Sequence, residues 1–186
     1  EKVCQFIRDN DISQYGVKKI GVNLSAVQCM QTELSEELIE MAEKYRVSLS
    51  GIYLETTETA TIGNRKTMKD NMDIMIKHGA SYALDDYGTG YSNLVNILQF
   101  PFDVVKIDKS LVWTYFENEN NILPDVIEMF KNQKLMITVE GVETKQMAQR
   151  LTVMGCDYLQ GFYFSKPIPS QDYLRYMRSH REHEEI

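Results

Sequence analysis

The sequence predicts an α/β fold of parallel strands joined by crossover helices, and three observations predict it. Short apolar runs recur along the 186 residues, separated by segments whose apolar residues have helical spacing. Each run delivers a polar or charged residue near its carboxyl end. Glycine follows helical segments at Gly79 and Gly155, where a left-handed residue stops a helix. Strand and helix alternate in this way for six units, which implies a parallel sheet. In an open α/β sheet or a (β/α) barrel, ligands bind beyond the carboxyl ends of the strands.

In order, Glu1–Asn10 places Val3, Cys4, Phe6 and Ile7 at helical spacing, and Tyr15–Val17 is a connector. Ile20–Ser25 reads as a strand with Asn23 and Ser25 on one face. Ser35 is expected to cap a helix running to Tyr45. Ile52–Glu58 is the second strand, and Asn64–His78 a helix with Met68, Met72, Met75 and Ile76 as its core stripe. Tyr82–Leu84 is an apolar run that ends in Asp85 and Asp86. A Gly88-Thr89-Gly90 turn follows, and Tyr91–Asn93 can open a helix that Phe100-Pro101 ends. Asp103–Asp108 is a strand with Lys106 and Asp108 on one face, followed by a helix expected over Asn118–Lys131. Leu135–Val139 leads into Glu140-Gly141-Val142-Glu143, and a helix spans Thr144–Met154. Asp157–Gly161 is the sixth strand, Ser170 caps the last helix, and residues 181–186 read as a solvated, frayed tail.

A hydrophobic content of 43% and a charged content of 25% are those of an ordinary globular domain, long enough for a sizeable core. The net charge of −7 argues against duplex nucleic acid or an acidic membrane surface as partner, since no basic field attracts either. A phosphorylated small molecule stays open, because bound cations supply positive charge locally. Cys4, Cys29 and Cys156 have no metal-type spacing and read as reduced thiols of a cytoplasmic domain. That reading holds even where a parent protein is membrane-anchored, and no apolar run here approaches membrane-spanning length. The chain starts at Glu1 without an initiator Met and is expected to be a piece of something longer.

The strand-end groups are Asn23, Glu55, Asp85 with Asp86, Lys106, Glu140 and Gln160. Each has a plain alternative: Asn23 bonding nearby backbone, Lys106 pairing with Asp85 or Asp108, Gln160 capping a turn, the two aspartates decorating a surface turn. Together they say more. Four carboxylates on one mouth repel one another and raise one another's pKa values unless cations lie between them. Oxygen ligands without His or Cys favour Mg²⁺ or Mn²⁺. Adjacent aspartates suit a bridged metal pair that activates water and stabilises both oxygens of a phosphodiester displacement. Lys106 would add fixed positive charge or orient the water.

The stretches Val22–Gln28, Leu54–Thr59, Leu84–Leu94, Phe102–Val112, Val139–Thr144 and Cys156–Pro169 resemble the EAL-type cyclic-di-GMP phosphodiesterase domain. With the helices between them they cover nearly the whole chain. The resemblance implies an α/β fold that is a partial (β/α)₈ TIM-like barrel, opening cyclic di-GMP to linear pGpG with Mg²⁺ or Mn²⁺. By position it implies metal ligation by Asn23, Glu55 and Asp85, with Asp86 serving the second metal. Lys106 matches the lysine near the attacking water, and Glu140 a glutamate tied to metal or water. Glu58 matches the residue holding the loop after the aspartates, Gln160 the glutamine at the substrate end. Asp108 and Glu143 match supporting positions, and Thr89 belongs to the same supporting loop. A homodimer is implied too, with loop Tyr87–Asn96 linking its contact to the site, and an attached cyclase or sensor domain is possible.

The chain departs from the family's pattern in one important way. A Glu-Ala-Leu strand should precede Asn23, and it is absent from the sequence. Six strands stand where a barrel has eight, so the first two are expected to be missing from a single domain spanning 1–186. With one metal ligand lost, this chain alone is expected to be weakly active or inactive. Tyr87, Phe162, Thr56 and Val139 are smaller departures that remove no ligand. The alternatives are a non-catalytic cyclic-di-GMP receptor and an interaction scaffold.

Overall fold

A computed structural model describes residues 1–62, 64–90, 94–118 and 121–181. Six strands form one parallel sheet in sequence order: β1 (Ile20–Asn23), β2 (Ile52–Thr57), β3 (Ser81–Tyr87), β4 (Val104–Ile107), β5 (Met136–Val139) and β6 (Tyr158–Leu159). The sheet curls into a half-barrel with helices on its outer face, so the expected partial (β/α) barrel is present. The helices are α1 (Lys2–Asp9), α2 (Ala26–Cys29), α3 (Leu34–Tyr45), α4 (Arg65–Lys77), α5 (Leu94–Ile97), α6 (Lys109–Asn118), α7 (Ile122–Asn132), α8 (Lys145–Val153) and α9 (Ser170–Arg181).

Burial follows from the curl. On β2, Ile52, Leu54 and Thr56 are buried against the helices, while Tyr53, Glu55 and Thr57 are half-buried on the concave face. On β5, Ile137 and Val139 are buried and Met136 and Thr138 half-buried. Only the middle strand β4 is buried on both faces throughout. The helices meet the sheet through apolar stripes. Met68, Met72 and Met75 of α4 are buried at i, i+4 and i+7, each contributing about 2 kcal/mol. Asn64 caps that helix by accepting from the Thr67 amide, and Gly79 takes a φ of 95° just beyond it.

Several local expectations change. Ser35 does not cap α3: Glu33 occupies that position, and Ser35 sits inside the first turn, buried, with its hydroxyl unpartnered. Ser25 instead leaves the strand and forms a capping box with Gln28 at the start of α2. Asn118 ends a helix rather than opening one, its side-chain amide donating to the Thr114 carbonyl one turn back (3.2 Å). Two helices therefore follow β4. Val112 and Tyr115 anchor α6; Leu123, Ile127 and Phe130 anchor α7, whose Pro124 is tolerated in the first turn. The helix start expected at Tyr91–Asn93 and residues 182–186 of the expected frayed tail lie outside the described residues.

Candidate active site

The ends of β2, β3, β4 and β5 bring four charged groups together. Lys106 Nζ lies 2.9 Å from Glu55 Oε2, 2.7 Å from Asp85 Oδ1 and 2.9 Å from Glu140 Oε1. Strand alternation points Glu55, Asp85 and Lys106 onto the concave face, and Glu140 follows β5 directly. Gly21, on neighbouring β1, makes room: a Cβ there would overlap the Glu55 carboxylate. Burial disfavours the charged Lys106 ammonium, yet the hydrogen bonds it donates to Asp85, Glu140 and Glu55 outweigh it and push its pKa up. Lys106 is thus a fixed cation.

Asp86 reaches the same mouth by a device that plain alternation does not supply. Leu84 pairs with Val105 and Tyr87 with Ile107, so β3 uses one residue more than β4 over that interval. This is a β-bulge. At it, Asp86 adopts a left-handed φ of 57°, a conformation Asp tolerates better than most residues. The result is that Asp85, Asp86 and Glu140 each offer a carboxylate oxygen within 4.8 Å of the others. Thr89 secures the turn, its hydroxyl (3.0 Å) and amide (3.3 Å) both donating to the Asp86 carbonyl. Burial raises the Asp86 pKa, repulsion from Asp85 and Asp108 adds to it, and Lys106 opposes.

Asp108 is buried just past β4, where its carboxylate accepts from the Ser110 amide (2.8 Å) and caps the start of α6. Glu58 begins a 3₁₀ turn (Glu58–Ile62) near Tyr87, whose phenol is pushed up by burial and then by the Glu58 charge. Asn23 is exposed at the end of β1, in register with Glu55. Gln160 is exposed after β6; its amide donates to Val139 and its carbonyl accepts from Val142. Both belong to the mouth, outside the Lys106 cluster. Glu143 is exposed and makes no ion pair among the described residues.

One contact at the site falls on a residue that the sequence reading passed over. The Trp113 indole N–H donates to the Gly141 carbonyl (2.9 Å), beside Glu140. Its signal was the spacing of Leu111, Val112, Tyr115 and Phe116, which marks a helix presenting Trp113 one turn in.

The four carboxylates around one ammonium leave excess negative charge, and their donors are all oxygen. That set fits a hard divalent cation. A cavity of about 560 Å³ opens below it on the concave face, lined by Tyr53, Glu55, Lys106, Thr138 and Gln160 among others.

A family model described as EAL domain matches residues 1–167. The probable cyclic di-GMP phosphodiesterase PdeB of Escherichia coli strain K12 is 33% identical over 169 residues, covering 91% of this chain and 32% of PdeB. The crystal structure of the EAL domain of Mycobacterium smegmatis DcpA matches with a TM-score of 0.85 and 28% identity, over 96% of this chain and 81% of that one. The PaMucR phosphodiesterase in complex with c-di-GMP matches with a TM-score of 0.84 and 26% identity, over 92% and 70%. The chain spans less than half the length of the curated relatives it matches. With the family model matching all of the chain but its last residues, this protein belongs to the EAL domain family.

Proposed function

We propose that the protein containing this domain hydrolyses cyclic di-GMP to linear pGpG with Mg²⁺ or Mn²⁺. The observation that carries the reading is the ring of Glu55, Asp85 and Glu140 around Lys106, with Asp86 turned in beside it. PdeB and PaMucR are phosphodiesterases by name, and PaMucR is bound to c-di-GMP. Asn23, Glu55, Asp85 and Asp86 would hold two divalent cations, which when bound activate water and stabilise the oxygens of the displacement. Lys106 keeps its charge on the developing phosphorane and orients the water; Glu140 holds Lys106 and shares the cluster. Glu58 and Thr89 steady the loop after the aspartates, and Asp108 fixes the β4–α6 junction. Gln160 faces the nucleotide from the β6 edge, and Glu143 supports the loop after β5. The domain is proposed to work as a cytoplasmic homodimer, with a cyclase or sensor domain attached in the parent protein.

β1 and β6 are both sheet edges, and the sequence holds no Glu-Ala-Leu strand with its metal ligand, so the 186 residues alone are proposed to turn over weakly or not at all. The test therefore uses the full-length protein. Turnover of cyclic di-GMP with Mn²⁺, lost in Lys106→Ala with binding retained, is expected; no turnover at alkaline pH with either metal overturns the reading. A non-catalytic receptor is the second reading. It is favoured by the ion pairs that Lys106 already makes with Glu55, Asp85 and Glu140, the acids that a catalytic cation would have to engage. Calorimetry with tight binding and no product would select it.

A further inference from the structure

The loop after β5 is gripped from two sides. The Glu140 amide donates to the Ile107 carbonyl (3.0 Å), the Val142 amide to the Gln160 carbonyl (3.1 Å), and the Tyr163 amide to the Val142 carbonyl (3.0 Å). Those three are backbone ties. The Gly141 carbonyl, between them, is held by a side chain, the Trp113 indole N–H at 2.9 Å. Gly141 adopts a φ of 71°, and a Cβ there would overlap the Lys109 side chain, so the loop lies flat against α6. Lys109 Nζ in turn sits 5.4 Å from the centre of the Trp113 ring, on the loop's side of the helix. α6 begins two residues after the strand that carries Lys106, while Gly141 follows Glu140 directly. The indole thus links the two backbones whose side chains meet in the Lys106–Glu140 ion pair.

We infer that Trp113 is a positioning residue that sets the direction of Glu140 toward Lys106 and the Asp85–Asp86 carboxylates through its bond to the Gly141 carbonyl. This rests on the proposed metal-dependent reading of the site. Removal of a partner that orients a metal-site group costs roughly 10–100-fold in affinity or activity. Trp113→Phe keeps an aromatic ring beside Lys109 and removes only the donor. Trp113→Gln gives up the ring but returns a neutral N–H at similar reach.

The experiment measures Mn²⁺ binding by electron paramagnetic resonance, with cyclic di-GMP kinetics alongside, on the full-length protein and both variants. Trp113→Phe is expected to weaken Mn²⁺ roughly tenfold and lower kcat by a similar factor, with KM within about twofold. Trp113→Gln is expected to recover most of both. A Phe variant with native Mn²⁺ affinity and kcat overturns the inference, and so does a Gln variant as impaired as Phe, which would mean that ring packing alone matters. Should the Phe variant not fold, Gln decides: native Mn²⁺ affinity supports the inference, weakened affinity overturns it. A native protein that binds Mn²⁺ without hydrolysis overturns the proposed reaction alone, and the Mn²⁺ titrations then decide the role of Trp113. Absence of Mn²⁺ binding by the native protein overturns both.

Discussion

The middle of the sheet and its edges carry the candidate site in different ways. On β3 and β4, Tyr82, Leu84, Val105 and Ile107 are all but inaccessible, and the polar groups beside them, Asp85 and Lys106, hold one another at 2.7 Å. On the edges, Asn23 of β1 is exposed, and Gln160 beyond β6 is exposed with only its backbone engaged among the described residues. The middle is organised by the protein's own charges. The edge groups are placed by the sheet register and stay open to solvent. A polar group in a buried centre costs stability unless it is paired, so the centre must be assembled in the free protein. An edge residue in water carries no such penalty and stays uncommitted.

The sharpest way to break that contrast is Lys106→Met. Removing the cation leaves Glu55, Asp85 and Glu140 facing one another, partly desolvated. Breaking a fully buried pair costs about 3–5 kcal/mol, and partial exposure of the acids brings this to about 3 kcal/mol. For a chain of this size the melting temperature in EDTA should fall by on the order of 10 °C. Millimolar Mn²⁺ should restore part of it, because a divalent cation replaces the lost charge. Calorimetry showing a variant as stable as the native protein in EDTA would mean that the centre is not held by its charges.

Gly161→Ala tests whether the β6 side is loose as well as open. A Cβ there would drive into the Val142 backbone, which Gln160 and Tyr163 already hold. Overpacking of that kind costs about 2 kcal/mol. Chemical denaturation should show it. A neutral substitution would mean that the loop after β5 yields, and that exposure at this edge goes with slack backbone.

These two sites also mark what sequence can and cannot convey. Glu55, Lys106 and Glu140 were legible because each lies within or just after an apolar run, and alternation then fixes the face it takes. The sharing of one mouth by Asp85 and Asp86 was expected from their adjacency, but its cause was not legible. Adjacent strand residues point to opposite faces, and only the extra residue of β3 against β4, with Asp86 left-handed, brings them together. A register shift belongs to two strands and cannot be read from one. α6 was missed for a different reason: the polar run after Phe116 looked like a helix start, whereas Asn118 bonds back into the helix already formed. With α6 went Trp113, whose partner is far along the chain.

Cys156 tests the edge more gently. It lies just before β6, and burial together with the neighbouring Asp157 pushes its thiol up to about 12. In the unfolded chain the thiol ionises near pH 8.5. The folded state therefore favours the protonated form. Its contribution to stability is complete below the unfolded value and is lost as pH rises toward 12. Unfolding free energies should fall between pH 9 and 11 by more in the native protein than in Cys156→Ala, with slow alkylation of this thiol at neutral pH. Equal slopes would mean that the edge lets water reach Cys156.

The smallest expected change in stability is the most telling for the contrast. Asn23→Ala removes an exposed amide that none of the described residues engages, so the unfolding free energy should stay within about 0.5 kcal/mol of native. If Asn23 is uncommitted in the free protein and used only when a cation arrives, the loss should be confined to binding. Mn²⁺ affinity should then fall by roughly tenfold, the range for one disturbed contact at a metal site. Lys106→Met and Asn23→Ala would thus separate along two axes, the first moving stability in the absence of metal and the second moving only metal affinity. An Asn23→Ala protein that loses stability in EDTA would place the edge with the centre, and one that keeps full Mn²⁺ affinity would remove Asn23 from the proposed ligand set while leaving Glu55, its neighbour in register, in place.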